Sequence, residues 1–141
     1  MSEVKFRQVE RKDLDQVFIL LQQMSEIDYS KRNKNKSWEL FNSCSSESIV
    51  GVYNDEIVAY GSLVLEYKIR GCVSGHIEDI VVSNKIRHKK IGTGLIKELV
   101  NIGVKKGCYR ITLFCKKSLI KFYARNGFEV SNIAMKKFLN N

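Results

Sequence analysis

"HIEDIVVSNKIRHKKIGTGLIKELVNIGVKK", residues 76–106, decides how this chain reads. Its opening, "HIEDIVVS" (76–83), has the β-branched, apolar content of a strand. Its close, "TGLIKELVNIGVKK" (93–106), sets Leu95, Leu99 and Ile102 on one helical face, and Gly107 ends the run as glycine does just past a helix. Between them "KIRHKKIGTGL" (85–95) crowds Lys85, Arg87, His88, Lys89, Lys90, Gly92 and Gly94 together. A helix N-terminus offers free backbone N–H groups and a partial positive charge. Glycines let that backbone lie close to a ligand, and cations add Coulomb attraction. The combination suits a phosphate or pyrophosphate. A solvated basic loop before a glycine-softened helix accounts for the same residues. "KIGTGL" lacks the G-x-x-x-x-G-K-[ST] pattern, and Lys97 stands where G-x-G-x-x-G needs its third glycine, so both nucleotide loops are excluded.

Working outward, "VKFRQV" (4–9) alternates like a half-buried strand. Asp13 caps a helix whose Leu14, Val17, Phe18 and Leu21 share a face. "DYSKRNKNKS" (28–37) reads as a polar loop, and "SWELF" (37–41) as a short helix capped by Ser37. "SIVGVY" (48–53), "NDE" (54–56) and "IVAYGSLVLEYKI" (57–69) form a β-hairpin, with "RGCVSG" (70–75) a loop after it. "CYRITLFC" (108–115) is a strand, "SLIKFYARN" (118–126) a short helix stopped by Gly127, and "FEVSNIAMKKFL" (128–139) a closing strand. The order β-α-α-β-β-β-α-β-α-β, without repeat or linker, predicts one α/β domain of the α+β type over residues 1–141. Its single mixed, mostly antiparallel sheet is flanked by helices.

Composition narrows the partners. Hydrophobic residues make up 44% of the 141, enough for a core unaided by disulfides or metal. No apolar run is long enough to span a membrane, and "MSEVKFRQVERKD" has no apolar centre of a secretory signal, so a cytoplasmic protein is expected. The 24 basic against 15 acidic residues leave +9, which favours an anionic partner without naming it. Cys44, Cys72, Cys108 and Cys115 form no CxxC pair, and His76 and His88 are the only histidines that could join them, so no metal is expected.

The spacing Arg87-x-x-Lys90-x-Gly92 resembles the [Q/R]-x-x-G-x-[G/A] loop of the GCN5-related N-acetyltransferase (GNAT) superfamily. "GHIEDIVVS", "CYRITLFC" and "IKFYARNGFEV" are similar to the eukaryotic members that acetylate glucosamine 6-phosphate. That similarity runs from about Gly75 to Leu139; "LVLEYKI" (63–69) extends it and "FRQVERKDLDQV" (6–17) follows it loosely. The resemblance implies acetyl-CoA as cosubstrate, the 2-amino group of glucosamine 6-phosphate as acceptor, a place in UDP-N-acetylglucosamine biosynthesis, a homodimer, and neither nucleic acid nor metal.

Residue by residue, the resemblance gives Ile80, Val81 and Val82 the task of pairing their backbone with the pantetheine arm, one N–H holding the thioester oxyanion. Arg87, His88, Lys89, Lys90, Ile91, Gly92 and Thr93 would hold the pyrophosphate. Tyr123 would stand by the CoA sulfur; a phenol titrates near ~10 and a thiol near ~8.5, so its proton is available to the leaving thiolate. Glu78 and Asp79 would flank the sugar, which requires a bulged strand, because neighbours on a regular strand point to opposite faces. Lys68 would meet the substrate phosphate, Lys137 would come from the partner subunit, and Arg7 is a weaker candidate for the same substrate.

The departures lie mostly on the acceptor side. Lys90 replaces a loop glycine. Phe114 stands where the resembled enzymes carry Asp or Glu near the amine, which leaves Glu78 or a backbone-ordered water as base. Lys116 and Lys117 raise the local positive potential, and residues 28–47 fit poorly. Two alternatives remain open: the same chemistry on a peptide or other amine, or a basic module that binds CoA or nucleic acid without turnover.

Overall fold

The computed structural model describes residues 3–26, 28–86 and 89–139, without the side chains of Tyr29 and Lys89. The described elements are β1 (Lys5–Gln8), α1 (Leu14–Leu21), α2 (Lys34–Asn42), β2 (Ser46–Tyr53), β3 (Glu56–Tyr67), β4 (Val73–Val82), α3 (Lys89–Lys105), β5 (Cys108–Leu113) and α4 (Ile120–Arg125). The five strands form one sheet in chain order. The β1–β2, β2–β3 and β3–β4 pairs are antiparallel, and β4–β5 is parallel through the α3 crossover. This is the mixed, mostly antiparallel sheet expected.

Each sheet face carries its own core. On one, Ile49, Ala59, Leu63 and Ile77 pack against Ile91, Leu95, Ile96 and Leu99 of α3 and Tyr123 of α4. On the other, Val50, Tyr60 and Val81 meet Val17 and Leu20 of α1, with Trp38 of α2 beside them. The β2–β3 turn has Asn54 and Asp55 at φ 48° and 62°, the left-handed pair that a two-residue hairpin selects.

Local expectations shift in instructive ways. Asp13 precedes α1 but makes no side-chain cap to it. Its buried carboxylate accepts from Glu10 N at 2.8 Å and takes both arms of Arg7, at 2.7 and 2.9 Å. The second helix starts at Lys34, capped by Asn33 accepting from Lys36 N, so Ser37 is interior. α3 begins at Lys89, four residues before the expected start. Its Gly92 and Gly94 are there for packing: a Cβ would stand 3.2 Å from Phe122 and 2.9 Å from Phe6. Residues 128–139, expected as a strand, pair with no strand among the described residues.

Candidate active site

The β4–β5 register runs from Val73↔Cys108 to Ile77↔Leu113. There β5 ends, while β4 continues through Glu78–Val82, held on its other side by β3. Beyond Ile77, β4 has no β5 neighbour among the described residues, and its backbone faces an opening. The α3 N-terminus lies just past this stretch in the chain, with no acidic residue in its first turn. The free N–H groups there point toward the helix's positive end.

A bulge marks where the opening begins. Ser62 pairs Glu78 and Tyr60 pairs Val81, so Gly61 alone faces Asp79 and Ile80. Asp79 takes φ 56°, a left-handed value that aspartate tolerates better than most residues. Gly61 makes the bulge possible: a Cβ there would sit 2.6 Å from Ile80 Cδ1 and 3.0 Å from Leu99 Cδ1. Gln23, at the end of α1, ties the far end of β4 to the turn after it. Its Nε2 donates to Val82 O at 2.9 Å, and its Oε1 accepts from Asn84 N at 3.0 Å.

The predicted residues fall into groups. Ile80, Val81 and Val82 lie together on the unpaired stretch, with Glu78 and Asp79 at its start. Lys90, Ile91, Gly92 and Thr93 form the first turn of α3 with Lys89; Arg87 and His88 lie outside the described residues. Tyr123, on α4, is 8% exposed, and Phe122 and Phe128 hold its ring edge-on. Burial, then the nearby Cys115, pushes its hydroxyl above the ordinary phenol range, so it keeps its proton at neutral pH. Solvent reaches the Asp79 carboxyl, yet desolvation, then repulsion from Glu78, raises its pKa.

Three residues stand apart within one chain. Lys68 lies six residues along β3 from Ser62, the partner of Glu78, or roughly 20 Å at about 3.3 Å per residue. It ion-pairs with Glu66 at 3.6 Å. Lys137 lies in the exposed C-terminal segment. Arg7 is committed to Asp13, and its row, Arg7–Val50–Tyr60–Val81, puts three strand spacings between it and β4. Within one chain, then, Arg7 clamps Asp13 and does not face β4.

Phe114 follows β5 directly and packs edge-on to His76, with ring centroids 4.7 Å apart. His76 Nδ1 lies 2.7 Å from Thr112 Oγ1, and its Nε2 lies 3.2 Å from Glu78 Oε1. The sequence reading weighed His76 only as a metal ligand. The signal that could have found it is its i, i+2 spacing to Glu78, which puts both on one sheet face. Among the described residues, no group of three His, Cys, Asp or Glu side chains could hold a metal ion. No described helix is long and apolar enough to cross a membrane.

The first turn of α3 lies against α4: a Cβ on Gly92 would stand 3.2 Å from Phe122, the neighbour of Tyr123. The family model described as "Acetyltransferase (GNAT) family" matches residues 14–128. The chain belongs to this acetyltransferase family. Over 146 aligned residues it is 38% identical to "Glucosamine 6-phosphate N-acetyltransferase 1" of Dictyostelium discoideum, spanning 96% of this chain and 91% of that one. The crystal structure of glucosamine-6-phosphate N-acetyltransferase from Arabidopsis thaliana superposes with a TM-score of 0.88 at 27% identity, covering 98% of this chain and 99% of that one. A "predicted acetyltransferase with acetyl-CoA" from Clostridium acetobutylicum shares the fold at TM-score 0.75 and 17% identity, covering 96% of each chain.

Proposed function

We propose that this acetyltransferase moves the acetyl group of acetyl-CoA to the 2-amino group of glucosamine 6-phosphate by direct attack of the amine on the thioester. The observation that carries the reading is the stretch Glu78–Val82, freed from β5 and running from a bulge toward the basic N-terminus of α3. Acetyl-CoA supplies the acetyl group, and CoA leaves as thiol, its sulfur protonated by Tyr123, which regains a proton from the new amide nitrogen. Ile80, Val81 and Val82 offer backbone N–H and C=O groups to an extended pantetheine arm, as an added strand would. One of their N–H groups holds the charge developing on the carbonyl oxygen. The first turn of α3, from Lys89 to Gly92 with Thr93 following, takes the pyrophosphate, aided by Arg87 and His88.

On the acceptor side, Glu78 takes the ammonium proton and Asp79 shapes the pocket. Phe114 forms a wall there in place of a carboxylate. Tyr123 donates its phenolic proton to the departing sulfur, and its raised pKa keeps that proton in place until then. With both substrates bound side by side, proximity supplies much of the rate.

The site is completed by a second copy of the chain. Val130, Ile133, Met135, Phe138 and Leu139 are each between 73% and 94% exposed. So much apolar surface on one extended segment marks a contact that a partner covers. Lys137 lies within it and would reach the sugar phosphate of the partner's site. Lys68, too distant from Glu78 of its own chain, would do the same. A cytoplasmic homodimer making N-acetylglucosamine 6-phosphate for UDP-N-acetylglucosamine biosynthesis is the resulting picture.

The test is free thiol released from acetyl-CoA by the purified protein, with glucosamine 6-phosphate, glucosamine, a lysine peptide and spermine as acceptors. Release with glucosamine 6-phosphate well above the others is expected. Release with another amine instead would keep the chemistry and overturn the acceptor. No release with any of the four, despite acetyl-CoA binding, would overturn the reading.

A further inference from the structure

Glu78 is required as base by the reading above, yet it stands on an open surface with nothing obvious to aim it. We infer that His76 is a positioning residue for Glu78, fixed in turn by Thr112; the inference rests on the acetyl-transfer reading and deepens it. His76 and Glu78 lie two apart on β4 and so share a face. His76 Nε2 stands 3.2 Å from Glu78 Oε1, an ion-pair distance rather than a well-aligned hydrogen bond, and among the described residues it is the one close side-chain contact of that carboxylate. An ionised carboxylate can only accept, so the contact is attractive when Nε2 carries a hydrogen.

Thr112 holds the other ring nitrogen in place. It is the register partner of His76 across the parallel β4–β5 pair, and its hydroxyl lies 2.7 Å from Nδ1. A hydroxyl can donate or accept, so this bond seats the ring, while the contact with Glu78 favours the Nε2–H tautomer. In that tautomer Nδ1 is an acceptor and the Thr112 hydroxyl donates to it. The imidazole is held well: its side chain is 13% exposed, and Phe114 packs edge-on against it at 4.7 Å. The pair joins the part of β4 that is paired on both sides to the first residue of its open part. Phe114 thus supports the imidazole at the position where a carboxylate would otherwise serve.

The consequence for the reaction is one of oxygen choice. His76 occupies Oε1, so Oε2 is the oxygen free to accept. An N–H bond of the ammonium breaks, an O–H bond forms at Oε2, and the freed lone pair attacks the thioester carbon. The titratable neighbours of the pair are few. β4 contributes Asp79. β3 contributes Ser62 and Val64 opposite Glu78 and His76, and neither titrates. The β5 side contributes Thr112 and Phe114, with Cys115 next in the chain.

The experiment is the pH profile of kcat for thiol release with glucosamine 6-phosphate, run on the full chain and on Glu78→Gln, His76→Leu, His76→Gln and Thr112→Val. His76→Leu removes the donor from an ionised acceptor. A fall in kcat of about ten- to a hundredfold is expected, with KM for acetyl-CoA unchanged. If His76 donates toward Glu78 in the working enzyme, the acid limb of the profile moves to higher pH in this variant. His76→Gln restores an N–H donor and should recover most of the loss. Thr112→Val should give a smaller fall in the same direction.

The two levels of the argument separate cleanly. Absence of transfer to glucosamine 6-phosphate by the unaltered chain overturns the underlying reading, whereas full kcat in Glu78→Gln overturns Glu78 as base and with it the role of His76. A low Glu78→Gln with full kcat and an unmoved acid limb in His76→Leu overturns the role of His76. If His76→Leu melts, Thr112→Val decides: an unchanged profile there refutes the inference.

Discussion

The two sides of β4's open end are built from different materials. The side that would grip the cofactor is almost all backbone: a strand edge, a helix N-terminus, and a glycine that admits the bulge. The side that would grip the acceptor is almost all side chain: Glu78, Asp79, Phe114 and cations brought from elsewhere. Backbone groups exist whatever the side chain, so the first side tolerates Lys90 in a glycine's place. The second side cannot absorb change in that way. A single ring at position 114 alters which groups are left to take a proton. The lesson is that cofactor use is set by the fold and acceptor use by a handful of positions on it.

Tyr123 belongs to the first side in location and to the second in kind, so its removal tests the division most severely. Tyr123→Phe should lower kcat about a hundredfold and leave KM for acetyl-CoA nearly unchanged. A rise in KM with kcat preserved would make Tyr123 part of the grip and blur the two sides. The residue is 8% exposed, and Phe keeps its packing, so a melting curve should match that of the unaltered chain.

Arg7 and Lys137 form the next contrast, since both were candidates for the same substrate. Lys137→Ala should raise the apparent KM for glucosamine 6-phosphate about tenfold, the scale of one charge-assisted contact, without changing melting. Arg7→Ala should leave that KM alone and cost about 2 kcal/mol of stability, because it strands the buried Asp13. The pH dependence has a definite sign. The guanidinium of Arg7 holds the Asp13 carboxyl below its ordinary range. Its contribution is therefore full above the unfolded carboxylate pKa, near ~4, and disappears as pH falls through the depressed folded value. Arg7→Ala should flatten that acid-side loss in urea or thermal melts. Equal acid sensitivity in both proteins would show that the pair is not what holds β1 to the turn before α1.

What could be read from residues alone follows the same division. The hairpin, the strand–loop–helix unit and the two helical faces were legible because each is written in local periodicity. The start of β4 was not. "VSG" reads as a loop, yet Gly75 serves tight packing, with a Cβ there only 2.8 Å from Leu63 Cδ1. The start of α3 was missed for the same reason, since Gly92 and Gly94 make room for Phe122 and Phe6. Residues 128–139 misled in another way. Their apolar positions state that a face seeks burial but not which chain provides it, and the segment pairs with no strand among the described residues. The residues that the resemblance gives to the cofactor fall as a row on one strand and one helix turn. His76 was not legible, because its role appears only once Thr112 is brought across the sheet.

Phe114→Asp is the gentlest perturbation and the sharpest test of how the acceptor side works. The substitution places a carboxylate beside His76, at the head of the open stretch. If Glu78 is the base and His76 aims it, the new carboxylate competes for the imidazole and also offers a second proton acceptor. These effects oppose each other, so kcat should change by no more than about threefold. The profile should still respond. A second carboxylate near Glu78 disfavours the ionised form of each, so the acid limb should move to higher pH. A profile that does not move, with kcat unchanged, would mean that no carboxylate near position 114 takes the proton. The amine would then reach the thioester already deprotonated by solvent, and the acceptor side would owe its selectivity to shape and phosphate contacts alone.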